Sequence, residues 1–238
     1  MNIVRDIAKM IDHSILQPTH TDSDLLEQCE IALKYNVASV CVKPYAVKMA
    51  AGKLSGSQVK VGCVIGFPHG NSSTAVKIFE AEQACLDGAV EFDMVINIGK
   101  TLGGDWDYVE DEIKAVTDIC HKHKAIIKVI FETDFVTKTD DKIRLCEICT
   151  RFGADFVKTS TGYGFVKQPD GSYNYKGATL ADVELMRKHS GPSVQVKCAG
   201  GGRTLDDLLK MRAAGATRSG ATATEAIIAE AIKRFGKK

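Results

Sequence analysis

No apolar run in this 238-residue chain approaches the roughly 20 residues a membrane-spanning helix needs. Charge of one sign is not in excess either. The 31 Lys and Arg nearly balance the 30 Asp and Glu, for a formal net charge of +1. That leaves no electrostatic footprint for nucleic acid or an anionic membrane. The opening Met1-Asn2-Ile3-Val4-Arg5-Asp6 lacks the apolar core and small-residue cleavage site of a secretory signal, so the expected compartment is the cytosol. Regular cysteine spacing is missing too. Eight cysteines are scattered, mostly inside apolar periodic segments, and read as free core thiols. Cys146-Glu147-Ile148-Cys149 has redox or zinc spacing, but it falls mid-helix by pattern with no second Cys or His pair nearby. Metal or redox use of this pair is not expected, and no cofactor is expected.

What is present is an alternation. Short apolar runs, read as strands, recur at Met10–His13, 38–42, 59–65, 90–95, 125–131, 156–159, 193–198 and 218–220. Helical periodicity separates them. Asp22 or Ser23 caps the helix to Tyr35, Pro44 opens the next, and Ser72 or Ser73 caps a third. The later helices run from Tyr108 to about His121, from Thr139 or Asp140 to Gly153, from Leu180 to Lys188, and from Thr204 to Gly215. Thr222 or Thr224 caps the last. A helix–Gly-Ala–strand module recurs at Gly88-Ala89, Gly153-Ala154 and Gly215-Ala216, and Asn36 takes the glycine's place in a fourth copy. About eight strand–helix units fill residues 1–238 and leave no room for a second domain. The expected fold is a single α/β domain, a closed (β/α)8 TIM barrel. The rival, an open doubly wound sheet, is disfavoured because its GxGxxG fingerprint after the first strand is missing.

Side chains alternate faces along a strand. In the fourth strand Phe92 and Met94 oppose Glu91, Asp93 and Val95. In the fifth, Ile127 and Val129 oppose Lys128. In the seventh, Val194, Val196 and Cys198 oppose Lys197, and in the sixth Lys158 shares a face with Phe156. The apolar faces suit the outer helices, so Asp93, Lys128, Lys158 and Lys197 must point into the barrel, where Val, Ile and Leu are usual. Two readings remain open. One is a buried ion-pair network that fixes the barrel. The other starts from the inward lysines outnumbering the obvious inward carboxylates. A lysine beside another cation loses its proton more easily and becomes an amine able to attack a carbonyl. Gly200-Gly201-Gly202-Arg203 after the seventh strand and Gly220-Ala221-Thr222 after the eighth lie where such barrels hold phosphate; tight turns without a ligand are the alternative.

The most specific stretch is Val157-Lys158-Thr159-Ser160-Thr161-Gly162. With Ile11-Asp12-His13, Val40-Cys41-Val42, Gly66-Phe67-Pro68, the run from Glu91 to Asn97, Glu132-Thr133, Val196-Lys197, Ala199-Gly200-Gly201 and Gly215-Ala216-Thr217-Arg218, it resembles the deoxyribose-phosphate aldolases over nearly the whole chain. These are class I, Schiff-base aldolases on a (β/α)8 barrel. The resemblance implies that Lys158 forms the Schiff base, that Lys197 lowers its pKa and relays protons, and that Asp93 is the acid/base. It further implies substrate contacts from Asp12, Cys41, Lys128, Thr159, Thr161, Gly162, Gly200, Gly201, Gly202, Arg203, Gly220 and Thr222. The implied partners are a small phosphosugar and aldehydes. The oligomeric state stays open, a homodimer being one assembly compatible with it. Some residues depart from the family pattern. The segment Gly162–Gly177 is long, with the expectation of a small hairpin over the site, and its Lys167 and Lys176 either reach a phosphate or face water. Thr222-Ala223 stands where serines are common, Cys198 replaces Pro, Ala or Ser, and Arg234 to Lys238 lacks a terminal tyrosine. An isomerase or synthase using Asp93 and Lys128, and a catalytically silent phosphosugar-binding barrel, are the alternatives.

Overall fold

The computed structural model describes residues 3–236. Met1, Asn2, Lys237 and Lys238, cited above for the two ends, lie outside the described residues. A short helix, α1 (Ile3–Ala8), precedes β1 (Ile11–Ile15) and had no counterpart in the sequence reading. Then come α2 (Asp22–Tyr35), β2 (Ser39–Val42), a 3-10 turn (Pro44–Ala46) leading into α3 (Val47–Lys53), and β3 (Lys60–Ile65). Next are α4 (Thr74–Leu86), β4 (Glu91–Val95), α5 (Ile98–Leu102), α6 (Trp106–Lys122) and β5 (Ile126–Ile130). The chain continues with α7 (Thr139–Arg151), β6 (Phe156–Lys158), the paired β7 (Val166–Lys167) and β8 (Tyr173–Asn174), and α8 (Leu180–His189). It ends with β9 (Gln195–Ala199), α9 (Leu205–Ala213), β10 (Arg218–Ala221) and α10 (Thr224–Phe235).

The eight parallel strands close in the order β1-β10-β9-β6-β5-β4-β3-β2, so the open-sheet alternative is excluded. Closure works because β4, β5, β6 and β9 each turn an apolar face to the helices. Phe92, Met94, Ile127, Val129, Val157 and Val196 are all fully buried in that outer layer. Each such side chain contributes about 1.5–3 kcal/mol. The helices answer with one apolar stripe; in α6 it is Val109, Ile113, Val116 and Cys120, spaced four, three and four residues apart.

Helix ends follow local chemistry. Thr21, one residue before the expected cap, forms a capping box on α2. Its hydroxyl accepts the Asp24 N–H at 3.3 Å and the Asp24 carboxylate accepts the Thr21 N–H at 2.7 Å. At the other end Asn36 is left-handed (φ 47°), as its place in the module requires. The last helix differs from expectation. Neither Thr222 nor Thr224 caps it; Thr224 is its first residue, and its hydroxyl lies 2.8 Å from His13 Nδ1 instead. The Gly-rich run after β4 is not all loop, because Asn97 accepts the Lys100 N–H at 3.1 Å and starts α5. The Gly162–Gly177 segment does contain the expected hairpin, with Val166 opposite Asn174 and Lys167 opposite Tyr173.

One buried ion pair was not legible. Lys77 of α4 and Glu112 of α6 are both fully buried and meet at 2.7 Å. Lys77 also donates to Gly70 O and Val95 O, and Glu112 accepts the Asn97 N–H at 2.8 Å. The pair thus ties the turn after β3 to the end of β4. In sequence Lys77 is an ordinary helical lysine with nothing to mark it.

Candidate active site

Six strands deliver charge to the interior of the barrel. Their register sets Asp93 opposite Lys128, Lys158 opposite Lys197, and Lys197 opposite Arg218. Asp12 enters from β1 and Glu91 from β4. Asp93 Oδ2 accepts from Lys158 Nζ and Lys197 Nζ, each at 2.6 Å, while its Oδ1 accepts from Lys128 Nζ at 3.0 Å. Lys197 reaches on to Asp12 at 2.5 Å, and Lys128 to Glu91 at 2.6 Å. Arg218 closes the network with Asp12 Oδ1 at 2.5 Å and Glu91 Oε2 at 2.9 Å. Ser39 donates to Asp12 Oδ1 at 2.6 Å.

The charge count bears on both readings of the inward lysines. With Asp12 and Glu91 included, the three lysines are matched three for three by carboxylates, which corrects the expectation that lysines alone are in excess. Arg218, which sequence reasoning left in the barrel wall, restores the excess: three carboxylates face four cationic groups. Burying an uncompensated charge is costly, so the pressure to lose a proton falls on one of these groups. Arginine does not lose its proton. Burial pulls the Lys158 amine down from the usual lysine range. Asp93 opposes that pull and Lys197 adds to it. Lys197 and Lys128 are also penalised by burial, but Asp12 and Asp93, joined at Lys128 by Glu91, hold both above the usual range. Asp93 is pushed up by burial and drawn well below the carboxylate range by Lys128, Lys158 and Lys197 together. Of the three lysines, Lys158 is the one held below the usual range. Burial is the larger cause of its tuning and Lys197 the smaller.

Above Lys158 opens a cleft of about 150 Å³. Of the residues expected to contact substrate, Thr161, Gly162, Gly200, Gly201, Gly202, Arg203, Gly220 and Thr222 line it. Four do not. Asp12 and Lys128 sit below the floor, sealed by their own ion pairs and at most 1% exposed. Cys41 is packed with Leu16 and Val64, and burial pushes its thiol up to about 11. Thr159 is fully buried, and its hydroxyl accepts the Ala199 N–H at 3.2 Å, bonding towards β9 rather than into the cleft. Ser14, Gln17 and Tyr175 line the cleft without having been anticipated; each is an ordinary polar or aromatic residue in or beside a loop. Lys167 is exposed, and neither it nor Lys176 lines the cleft.

Glu132 supports the rim. It follows β5 in a left-handed conformation (φ 55°) and is fully buried. Its carboxylate accepts the Thr161 N–H at 3.2 Å and the Thr161 hydroxyl proton. Thr161 in turn accepts the Tyr163 N–H at 2.9 Å. Gly164 packs so closely that a Cβ there would lie 2.8 Å from Glu132 Cδ. Burial lifts the Glu132 carboxyl to about 7. Among the described residues, no group of three or more His, Cys, Asp or Glu could hold a metal ion, and no helix is long and apolar enough to cross a membrane.

Comparison with known proteins agrees with this geometry. Residues 7–228 match the model of the DeoC/LacD family aldolases. A deoxyribose-phosphate aldolase of Rhodopirellula baltica is 51% identical over 97% of this chain and 91% of its own length. One from Thermococcus gammatolerans is 48% identical, covering 94% of this chain and 95% of its own. Among solved structures, the tetrameric deoxyribose phosphate aldolase of Aeropyrum pernix superposes with a TM-score of 0.84 at 27% identity, over 97% of this chain and 92% of the other. With a family match over almost the whole barrel and a tuned lysine at its centre, this chain belongs to the DeoC/LacD aldolase family.

Proposed function

We propose that this chain, acting as one (β/α)8 domain over residues 1–238, is a class I deoxyribose-phosphate aldolase. It joins acetaldehyde and D-glyceraldehyde 3-phosphate to give 2-deoxy-D-ribose 5-phosphate, and cleaves that product in the catabolic direction. The observation that carries the reading is Lys158 at the cleft floor, sharing Asp93 Oδ2 with a second lysine.

In synthesis the neutral Lys158 amine adds to the acetaldehyde carbonyl. Loss of water from the carbinolamine gives the protonated imine, which serves as the electron sink. A proton leaves the methyl carbon, and the enamine carbon bonds to the aldehyde carbon of the acceptor, whose oxygen takes a proton. Hydrolysis then frees the product and Lys158. Asp93 and Lys197 lie on the Lys158 nitrogen side and are the groups placed to move these protons. The acceptor phosphate fits the Gly200–Arg203 and Gly220–Thr222 loops. There the start of α10 has no side-chain cap, which leaves backbone N–H groups for an anion. An isomerase built on Asp93 and Lys128 is less well supported, because Lys128 is sealed beneath the floor. The eight free cysteines accord with a reducing compartment, the cytosol.

Borohydride reduction in the presence of acetaldehyde tests the chemistry. The expected result is an ethyl adduct on Lys158 by mass spectrometry. An adduct on another residue, or none, overturns the proposal.

A further inference from the structure

The cleft has a neighbour. A second cavity, of about 400 Å³, lies between the loop after β5, the hairpin and the start of α8. Its lining carries hydroxyl, amide and carboxylate groups, with Thr133, Asp134, Gln168 and Asn174 around the buried Lys142–Asp182 pair at 2.5 Å. Among the described residues Tyr175 is the one that lines both this cavity and the catalytic cleft.

Tyr175 is firmly mounted. The two residues after it donate their N–H groups to Asp134, Lys176 at 2.6 Å and Gly177 at 3.0 Å. Ala178 donates to Ala199 O and Gly200 O. Gly177 lies against the backbone of Gly200, where a Cβ would come within 2.3 Å of its oxygen. The ring of Tyr175 is steadied edge-to-face by Phe165, with centroids 5.2 Å apart. Tyr163, on the cleft side, is held the same way by Phe67 at 5.4 Å. The backbone here is fixed from two sides independently of the Tyr175 side chain.

We propose that Tyr175 is a specificity-determining partition: it closes the catalytic cleft against the second cavity and so favours a three-carbon acceptor aldehyde over longer ones. This rests on the aldolase reading given above. A longer acceptor with its phosphate in the Gly200–Arg203 and Gly220–Thr222 loops and its carbonyl at the Lys158 enamine must bow sideways. The side with space is the one Tyr175 occupies. Removing the ring joins the cavities, and the hydroxyl and amide groups beyond it match an additional CHOH unit. The substrates admitted are polyhydroxylated aldehyde phosphates of four carbons or more.

The test is the ratio of kcat/KM for D-erythrose 4-phosphate to that for D-glyceraldehyde 3-phosphate, with acetaldehyde as donor. It is measured in wild type, Tyr175→Phe, Tyr175→Leu and Tyr175→Ala. One carbon unit in a shaped pocket changes discrimination by about 10–200-fold. The ratio is expected to rise about tenfold in Tyr175→Ala, less in Tyr175→Leu, and to stay put in Tyr175→Phe. A merely structural role lowers both kcat/KM values together and leaves the ratio unmoved. A ratio within twofold of wild type in whichever truncated variant folds overturns the proposal, as does wild type using both acceptors equally well. Borohydride trapping of acetaldehyde on Lys158 in every variant reads the imine chemistry separately. Its failure in wild type removes the aldolase reading rather than the partition alone.

Discussion

Lys158 and Lys197 stand opposite each other on adjacent strands and donate to the same atom, Asp93 Oδ2, each at 2.6 Å. Their nitrogens are therefore no farther apart than twice that length. Two ammonium groups that close, in a dry interior, repel strongly. Lys197 also holds Asp12, whereas Lys158 faces the open cleft with Asp93 as its one ion-pair partner.

This asymmetry predicts unequal stability costs for two similar substitutions. Lys158→Met removes an amine paired with Asp93 alone, which keeps Lys128 and Lys197, and should change unfolding free energy by less than about 1.5 kcal/mol. Lys197→Met takes one cation from both Asp12 and Asp93, leaving Lys128 and Arg218 on the first and Lys128 and Lys158 on the second, and should cost more, up to about 3–5 kcal/mol. Urea denaturation of both variants measures this. The reverse order would make Lys197 the neutral amine. Lys158→Met should also lose turnover by a factor on the order of 10⁴ or more.

The same pair sets a pH dependence. The reactive form of Lys158 is neutral, and its pKa is lowered by burial, then by Lys197. Activity should therefore fall as pH drops through that lowered pKa. In Lys197→Met one source of the lowering is gone, so the acid limb of kcat/KM against pH should move to higher pH. A limb that stays in place, or moves lower, contradicts the assigned influence of Lys197.

Glu132 should leave a signature in stability. Burial raises its carboxyl pKa from 4.5 to about 7 in the folded chain. The folded state keeps a proton that the unfolded state has already lost. The stability from this group is then whole below pH 4.5 and disappears as pH rises through about 7. The full loss corresponds to about 3 kcal/mol. Glu132→Gln has no such proton, so its stability relative to wild type should improve by up to that amount between pH 4.5 and 8. Parallel denaturation curves across this range would contradict the assignment.

Metal removal gives a further check. Imine chemistry at Lys158 needs no Lewis acid, so dialysis against EDTA should leave both the rate and the borohydride adduct unchanged. A loss restored by a divalent cation would point to a different reaction.

Much of the barrel was legible because its signals are local. Period-two alternation put Asp93, Lys128 and Lys197 on the inward face, and Gly-Ala turns marked strand starts. Boundaries moved by a residue or two where a cap outweighed periodicity, as at Thr21. The misplaced site residues share one cause. A strand's pleat tells inside from outside, but not how deep a side chain lies along the barrel axis. Asp12 and Lys128 point inward as charged residues should, yet sit below the floor. Arg218 and Glu132 were missed because their importance depends on partners 127 and 29 residues away in sequence. Tyr175 carries no chemical mark at all; only the meeting of two cavities singles it out.

The interior charges are also unevenly shared along the chain. Up to β5 the network has Asp12, Glu91, Asp93 and Lys128; from β6 onward it has only Lys158, Lys197 and Arg218. A cut between α7 and β6 separates a negatively lined half-barrel from a positively lined one. Neither could bury its lining alone, so closure should be all-or-none, with no dry-cored half as a stable folding intermediate. Separately produced halves should find each other by charge, and added salt should slow that encounter.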